Sequence, residues 1–280
     1  MDTYGIKITN KYETQDFYYH ESDDIQFSKD DHVAHSHKHY EILQVVKGNI
    51  TCIIDSKIYN MSDGDVCLIR PLDFHIIKVH GDTYIRRVVE FTPQALMMID
   101  SARDLLLHPF RSGRKKFNNY IPSSSLLQSN FSVILNEIAD ESNNPTSDIQ
   151  DVKLGILLSK LLLSLHPFST EGASADDYKN NVCHMIIDYI NKHIGEKITL
   201  SDMEKELNLS KYYMSHEFSK QMGMTIAKFI IEKKMLYAEQ LIESGMSPTE
   251  ASDIVAYNYP NFYTNYKKVF GKSPKQTTRK

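Results

Sequence analysis

Apolar residues alternate with polar ones through the first third of the chain, then follow helical spacing after Pro93. Between about Asp30 and Phe91, five segments are rich in β-branched and aromatic residues: Tyr40 to Val46, Ile50 to Ile54, Val66 to Ile69, Ile76 to Val79 and Tyr84 to Phe91. Turn-forming clusters separate them: Lys47-Gly48-Asn49, Asp55-Ser56-Lys57, Asp63-Gly64-Asp65 and His80-Gly81-Asp82. Short strands at this spacing predict a sandwich or barrel. Next comes a helix over Ser125 to Glu141, with Leu126, Leu127, Phe131, Ile134, Leu135 and Ile138 on one face, and a leucine-rich helix over Ile149 to Leu165. Their apolar surface exceeds what the end of a small barrel needs, so packing on the barrel and dimerisation are both outlets for it. His166 to Tyr178 is small, polar and acidic and reads as a linker; the rest has helical pattern and few glycines.

The C-terminal part contains a repeat with an offset of 48 residues. Leu207 matches Val255, Asn208 matches Ala256, Met214 matches Phe262, Phe218 matches Tyr266, and Gly223 matches Gly271. Each copy reads as helix, tight turn, helix, with a turn position that favours Gly or Asn because φ is positive there. Asn208 suits that position; Ala256 suits it less well. Ser210 is a good N-cap for the second helix. With Met214 and Phe218 facing the core, Lys211, Tyr212, Ser215, His216, Ser219 and Lys220 are left for solvent or a partner. Asn261, Tyr263, Thr264, Lys267 and Lys268 do the same in the second copy. Between the copies, Thr225 to Ser244 spans about five turns of helix, with Ile226, Phe229, Ile230, Lys233, Leu236, Tyr237, Leu241 and Ile242 on its inner face. Two recognition helices held about 34 Å apart would enter successive major grooves of double-stranded DNA.

Composition adds little to this and contradicts none of it. The chain is 41% hydrophobic and 24% charged, ordinary for a soluble globular protein. No run approaches the roughly 18 apolar residues of a membrane span. The first residues lack the basic and apolar regions of a signal peptide, so a cytoplasmic protein is expected. Cys52, Cys67 and Cys183 are far apart in the sequence, and neither a disulfide framework nor a thiolate metal site is expected. The net charge of −4 is unevenly placed: residues 179–280 carry 15 basic and 11 acidic groups, leaving the acidic excess in the first part. A basic module fused to an acidic one fits nucleic-acid binding.

From about Ile198 onward the chain resembles the DNA-binding domain of AraC/XylS-type regulators. The matching stretches are LSDMEKELNLSKYYMSHEFSKQMGMT, FIIEKKMLYAEQLIE, SPTEASDIVAY and YKKVFGKSP. The resemblance places Tyr212, Ser215 and His216 at the family's base-contacting positions. Departures are Glu204 in place of Ala, Ala251-Ser252 in place of Ile-Ala, and Ala256-Tyr257 in place of Gly-Phe. The turn before the second recognition helix reads one residue shorter, with Pro260 at its start. Arg279 is the only arginine in this half, although the family often uses arginine on bases.

The N-terminal segment HVAHSHKHYE gives His35, His37 and Glu41, followed by Gly48; downstream, Pro71-Leu72-Asp73-Phe74-His75 follows Gly64-Asp65. This resembles the two motifs of the cupin barrel and the sugar-sensing domains of AraC-type regulators. His35 and His37, two apart on a strand, would share a face, with Glu41 and His75 converging on them. The set suits one divalent transition metal such as zinc, iron, manganese or nickel. It also suits a polar pocket lined by His35, His37, Tyr40, Glu41, Arg70 and His75, with Asp73 and Arg86 nearby. His32 and His39 are expected to be solvated.

The expected architecture is α+β multidomain. Residues 1–165 form a cupin-like β-barrel with a helical dimerisation segment, 166–178 a linker, and 179–280 an all-α domain of two helix-turn-helix units. The expected function is a sequence-specific DNA-binding regulator controlled by a small-molecule effector such as a sugar. Its expected partners are a second copy of itself and, for an activator, RNA polymerase; no membrane is involved. The competing reading is a metal-dependent cupin enzyme with an accessory helical domain. The tandem repeat favours the regulator, since an enzyme has no use for two recognition helices at a fixed separation.

Overall fold

The computed structural model describes residues 8–22, 34–55, 57–96, 103–110, 119–143, 149–169 and 182–277. The chain divides into two compact units, Met1–Asp177 and Tyr178–Lys280. His32, Ser56, Arg279 and residues 170–178 of the expected linker lie outside the described residues; His166–Ser169 form a turn of 3₁₀ helix.

The first unit is built on a seven-stranded sheet: β1 (Ile8–Glu13), β2 (Phe17–Ser22), β3 (Tyr40–Ile54), β4 (Lys57–Met61), β5 (Val66–Ile69), β6 (His75–Phe91) and β7 (Tyr120–Ile121). All pairings are antiparallel, in the order β1-β2-β6-β3-β5-β7, with β4 against β3. Sequence pattern alone splits two of these strands and misses the β1–β2 hairpin and β4. Lys47-Gly48-Asn49 is a bulge, not a turn. β3 runs through it and pairs with β6 from Tyr40↔Phe91 to Ile54↔His75, with register shifts at Val45/Lys47 and Gly48/Asn49. A bulge inserts residues without ending the ladder. Gly48 is required there: its φ is 118°, and a Cβ would fall 2.3 Å from the Thr83 carbonyl oxygen. His80-Gly81-Asp82 lies within β6 opposite this bulge.

Side chains alternate across the sheet and form two separate apolar clusters. Phe17, Tyr19, Ile42, Leu68, Val89 and Phe91 face the helices α1 (Arg103–Leu106), α2 (Ser123–Leu126), α3 (Phe131–Ser142) and α4 (Gln150–Leu165). Leu43, Val45, Cys52, Cys67, Tyr84 and Val88 form the cluster of the opposite, inner face. Cys52 and Cys67, remote in sequence, meet there with their Sγ atoms 3.9 Å apart as buried free thiols.

The single helix expected over Ser125 to Glu141 is interrupted at 127–130. Ser129 Oγ donates to the Leu126 carbonyl and accepts from the Phe131 amide, a local alternative to helical bonding. Leu127, assigned to the inner face by spacing, is therefore 82% exposed, whereas Phe131, Ile134, Leu135 and Ile138 are buried as expected.

The second unit is helical: α5 (Val182–Lys192), α6 (Leu200–Leu207), α7 (Lys211–Met222), α8 (Ile226–Glu243), α9 (Pro248–Ile254), α10 (Tyr259–Phe270) and α11 (Pro274–Thr277). The inner face of α8 holds Met235 and Ala238 and two charged residues the pattern misses, Lys234 and Glu239; Lys233 is only half-buried.

Candidate functional site

The two helix-turn-helix units are built alike. Asn208 and Ala256 take the left-handed conformation after α6 and α9. Two residues later, Ser210 and Asn258 cap α7 and α10, accepting from the amides of Tyr213 and Asn261. Gly223 and Gly271, both left-handed, end these helices. The second turn is therefore not a residue shorter, and the offset of 48 holds throughout. Pro260 fits without shortening it because it occupies the first turn of α10, where no amide is needed.

Met214, Phe218, Phe262 and Tyr266 are fully buried. The opposite face of α7 presents Lys211, Tyr212, His216 and Lys220 exposed, with Ser215 and Ser219 half-buried. On α10, Asn261, Tyr263, Thr264, Lys267 and Lys268 are exposed. Tyr212 is 81% exposed, and its ring runs parallel to that of His216 with centroids 6.3 Å apart. Some of these groups already have partners. Lys211 is ion-paired with Glu204, which also accepts from the Lys211 amide. His216 Nδ1 lies 3.1 Å from Glu217, and Thr264 Oγ1 donates to the Pro260 carbonyl.

In the first unit, His35 is not on a regular strand. It forms an isolated bridge with His75, each amide donating to the other's carbonyl at 3.0 and 2.9 Å. A turn over Arg70–Asp73, with Pro71 second and Leu72 at φ 69°, sets the neighbouring chain, and the Leu72 amide donates to the His37 carbonyl. A leucine in that conformation is strained. The Asp73 carboxylate offsets this by accepting from the Arg70 amide, Nε and Nη2. Arg70 and Asp73, expected to line a pocket, thus bind one another and hold the turn.

Ring nitrogens of His35, His37 and His75 lie within 4.8 Å of one another. Glu41 accepts from His37 Nε2 at 2.7 Å and lies 3.5 Å from His75 Nε2. Burial opposes the charge on both members of this pair. The His37 hydrogen bond and the nearby imidazoles nevertheless hold Glu41 well below the usual carboxylate range, and the Glu41 bond and charge raise His37. His35 is lowered to about 2 by burial and by the charge of His75, so it is a neutral donor or ligand. The four residues expected to converge do meet.

Tyr40 does not join them. Strand alternation turns it to the other face, where it stacks on Phe91 and meets Phe110 edge-on. His39, expected to be solvated, is half-buried with Nδ1 3.2 Å from Glu90, and with His37 it forms a second potential ligand group.

Two further inward groups escaped sequence reasoning. β2 pairs with β6, placing Ser22 beside Arg86 and His20 beside Val88. His20 is 4% exposed and Ser22 is fully buried, and neither ring nitrogen of His20 nor Ser22 Oγ has a hydrogen-bond partner among the described residues. Burial, then the charge of Arg86, lowers His20 to about 3, so it is neutral. Alternation within Phe17–Ser22 was the available signal; burial of both faces obscured it.

Residues 14–159 match the family model of an AraC-like ligand binding domain, and residues 203–280 match that of a helix-turn-helix domain. The chain is 24% identical over 245 residues to the HTH-type transcriptional activator RhaS of Citrobacter koseri, covering 86% of this chain and 85% of the relative. It is 23% identical over 223 residues to the HTH-type transcriptional regulator YbfI of Bacillus subtilis, covering 78% and 76%. Among solved structures, ToxT of Vibrio cholerae aligns over 95% of this chain and 98% of its own at 12% identity, with a TM-score of 0.37. The AraC-like ligand-binding match spans more than half of the sequence, with a helix-turn-helix domain after it. The chain therefore belongs to the AraC family of ligand-controlled, DNA-binding transcription regulators.

Proposed function

We propose that this regulator reads a bipartite DNA site through α7 and α10, under the control of a small polar molecule held on the inner face of the sheet. Residues 1–165 sense and pair, and residues 179–280 bind DNA in the cytoplasm. The observation that carries the reading is the repeated geometry of the two exposed helices. On α7, Tyr212, Ser215 and His216 meet base edges, with Ser219 beside them and Lys211 and Lys220 on phosphates. On α10, Asn261, Tyr263 and Thr264 meet bases and Lys267 and Lys268 meet phosphates. As an activator the chain would also meet RNA polymerase.

The effector site comprises His35, His37, Glu41 and His75, extended by His20 and Ser22. Buried polar groups without partners favour a ligand that brings hydrogen-bonding groups, such as a sugar. The convergence of three imidazoles favours a second reading, in which His35, His37 and His75 hold a divalent transition metal with Glu41 as a further ligand. Metal content of protein purified without a histidine tag separates the two readings.

A dimer is favoured by α4, where Val152, Ile156 and Leu163 remain exposed, as does Val133 on α3. Charges of both signs surround them, including the Lys153–Glu141 and Lys160–Glu137 pairs. A patch that carries both signs of charge can meet its own copy about a two-fold axis. Thermal-shift screening against sugars and metals, followed by DNA-binding titration with each hit, tests the whole reading. An effector that stabilises the chain and leaves DNA affinity unchanged would sink it.

A further inference from the structure

The connecting helix carries a buried ammonium group that DNA contact does not use. Lys234, on α8, is 2% exposed. Its Nζ donates to the backbone carbonyls of Glu196 and Val255, the latter at 2.7 Å, and lies 5.5 Å from the centre of the Tyr257 ring. Glu196 is in the loop that leads into the first helix-turn-helix. Val255 is the C-cap of α9, and Tyr257 lies in the turn of the second unit. One side chain of the helix between the readers thus fastens both of them.

The same junction shows a close backbone approach. A Cβ added at Gly195 would stand 3.2 Å from the carbonyl oxygen of Ile254. The loop before α6 therefore rests directly on the end of α9, with α8 beneath both. Lysine is almost never fully buried unless paired, and an apolar side chain could fill the space. What the apolar side chain could not do is hold two carbonyls, one in the loop that enters the first unit and one at the end of α9 in the second, at a set distance. Buried polar groups are best attested in such registry roles.

We propose that Lys234 is a positioning residue that fixes α7 relative to α10 and so sets the spacing of the two DNA half-sites. It acts on DNA only through the two readers. The proposal rests on the reading that both helices enter DNA, and the wild-type arm of the experiment tests that reading separately.

The experiment is selection of binding sites from a random duplex library by the full chain, followed by titration on the selected duplexes. Wild type is expected to enrich two half-site motifs at one spacing. Lys234→Met should enrich the same two motifs at scattered spacings. Its affinity for the fixed-spacing duplex should fall about tenfold, through loss of simultaneous engagement. Its affinity for a duplex with one half-site should be unchanged. Lys234→Arg, which can donate to both carbonyls, should restore the single spacing. Gly195→Ala, which presses a methyl group against Ile254, is a second probe should Lys234→Met fail to fold; it should shift the preferred spacing. Equal weakening of Lys234→Met on one-site and two-site duplexes, or wild-type spacing in both Lys234→Met and Gly195→Ala, overturns the proposal. A wild type that selects a single motif overturns the two-reader reading, and the proposal with it.

Discussion

Asn208 and Ala256 hold the same left-handed backbone position, at φ 54° and 55°, in the turns of the two DNA readers. Asparagine visits this region readily, whereas alanine brings a Cβ penalty of about 1–2 kcal/mol. Ala256→Gly should therefore stabilise the second unit by about 1 kcal/mol, and Asn208→Ala should lose a similar amount. For about 100 residues that corresponds to a melting shift of about 4–8 °C, measurable by calorimetry. Ala256 is exposed, so its methyl group forfeits little packing. A lower melting temperature for Ala256→Gly would refute this account.

His216 and Met214 separate reading from folding on one helix. His216→Ala should cost about 1–3 kcal/mol on the cognate site and relax preference at one base pair, with melting unchanged. Met214→Ala opens a cavity in a fully buried position and should cost about 2–5 kcal/mol of stability. Titration against single-base variants of the site, with a melting curve for each mutant, decides. Early melting of His216→Ala would mean that the helix register is wrong.

Lys267 and Lys268 are exposed in the last turn of α10. Replacing either with alanine should weaken binding to all sequences alike and lower the slope of log affinity against log salt by about one. A change in sequence preference instead would assign that lysine to base readout.

Ile156 is 46% exposed on α4. Ile156→Glu should turn a dimer into a monomer in sedimentation analysis and leave the melting of the sheet unit near wild type. A wild-type chain that is monomeric at all concentrations would remove the basis for this expectation.

Burial, opposed by the charge of Glu196, lowers Lys234 to about 8, below an unfolded-chain value of about 10.4. Between these two values the unfolded chain binds more protons than the folded one, so stability from this group rises with pH across that window. Melting of wild type minus that of Lys234→Met, followed from pH 7.5 to 10.5, should increase. A flat difference would mean that the two carbonyls hold the proton as firmly as water does.

Much of the helical unit was legible because each signal there is local. The Ser210 N-cap, the burial of Met214 and Phe218, and the closing Gly223 each follow from a few neighbouring residues. Lys234 was not legible, because hydrophobic periodicity assigns a lysine to the surface, whereas two distant carbonyls keep this one inside. In the sheet unit, convergence of His35, His37, Glu41 and His75 was legible from their motifs. Tyr40 was not, since its place depends on which face of β3 meets the helices. Cys52 and Cys67 could not be paired from sequence, because their approach depends on how the sheet folds over its inner face. The strand breaks read at Gly48 and Gly81 show the same limit: glycine marks a bulge and a turn alike until the partner strand is known.

The long pairing of β3 with β6 also bears on how the chain reaches its native state. Tyr40 must find Phe91 and Ile54 must find His75 before the ladder is whole, so the sheet unit closes over many intervening residues. The helical unit draws on contacts between neighbouring helices, such as α6 with α7 and α8 with α9. Folding rates fall as contacts become less local, by orders of magnitude across small domains. By the locality of its contacts alone, the sheet unit is the slower of the two to regain its structure when the unfolded chain is returned to native conditions.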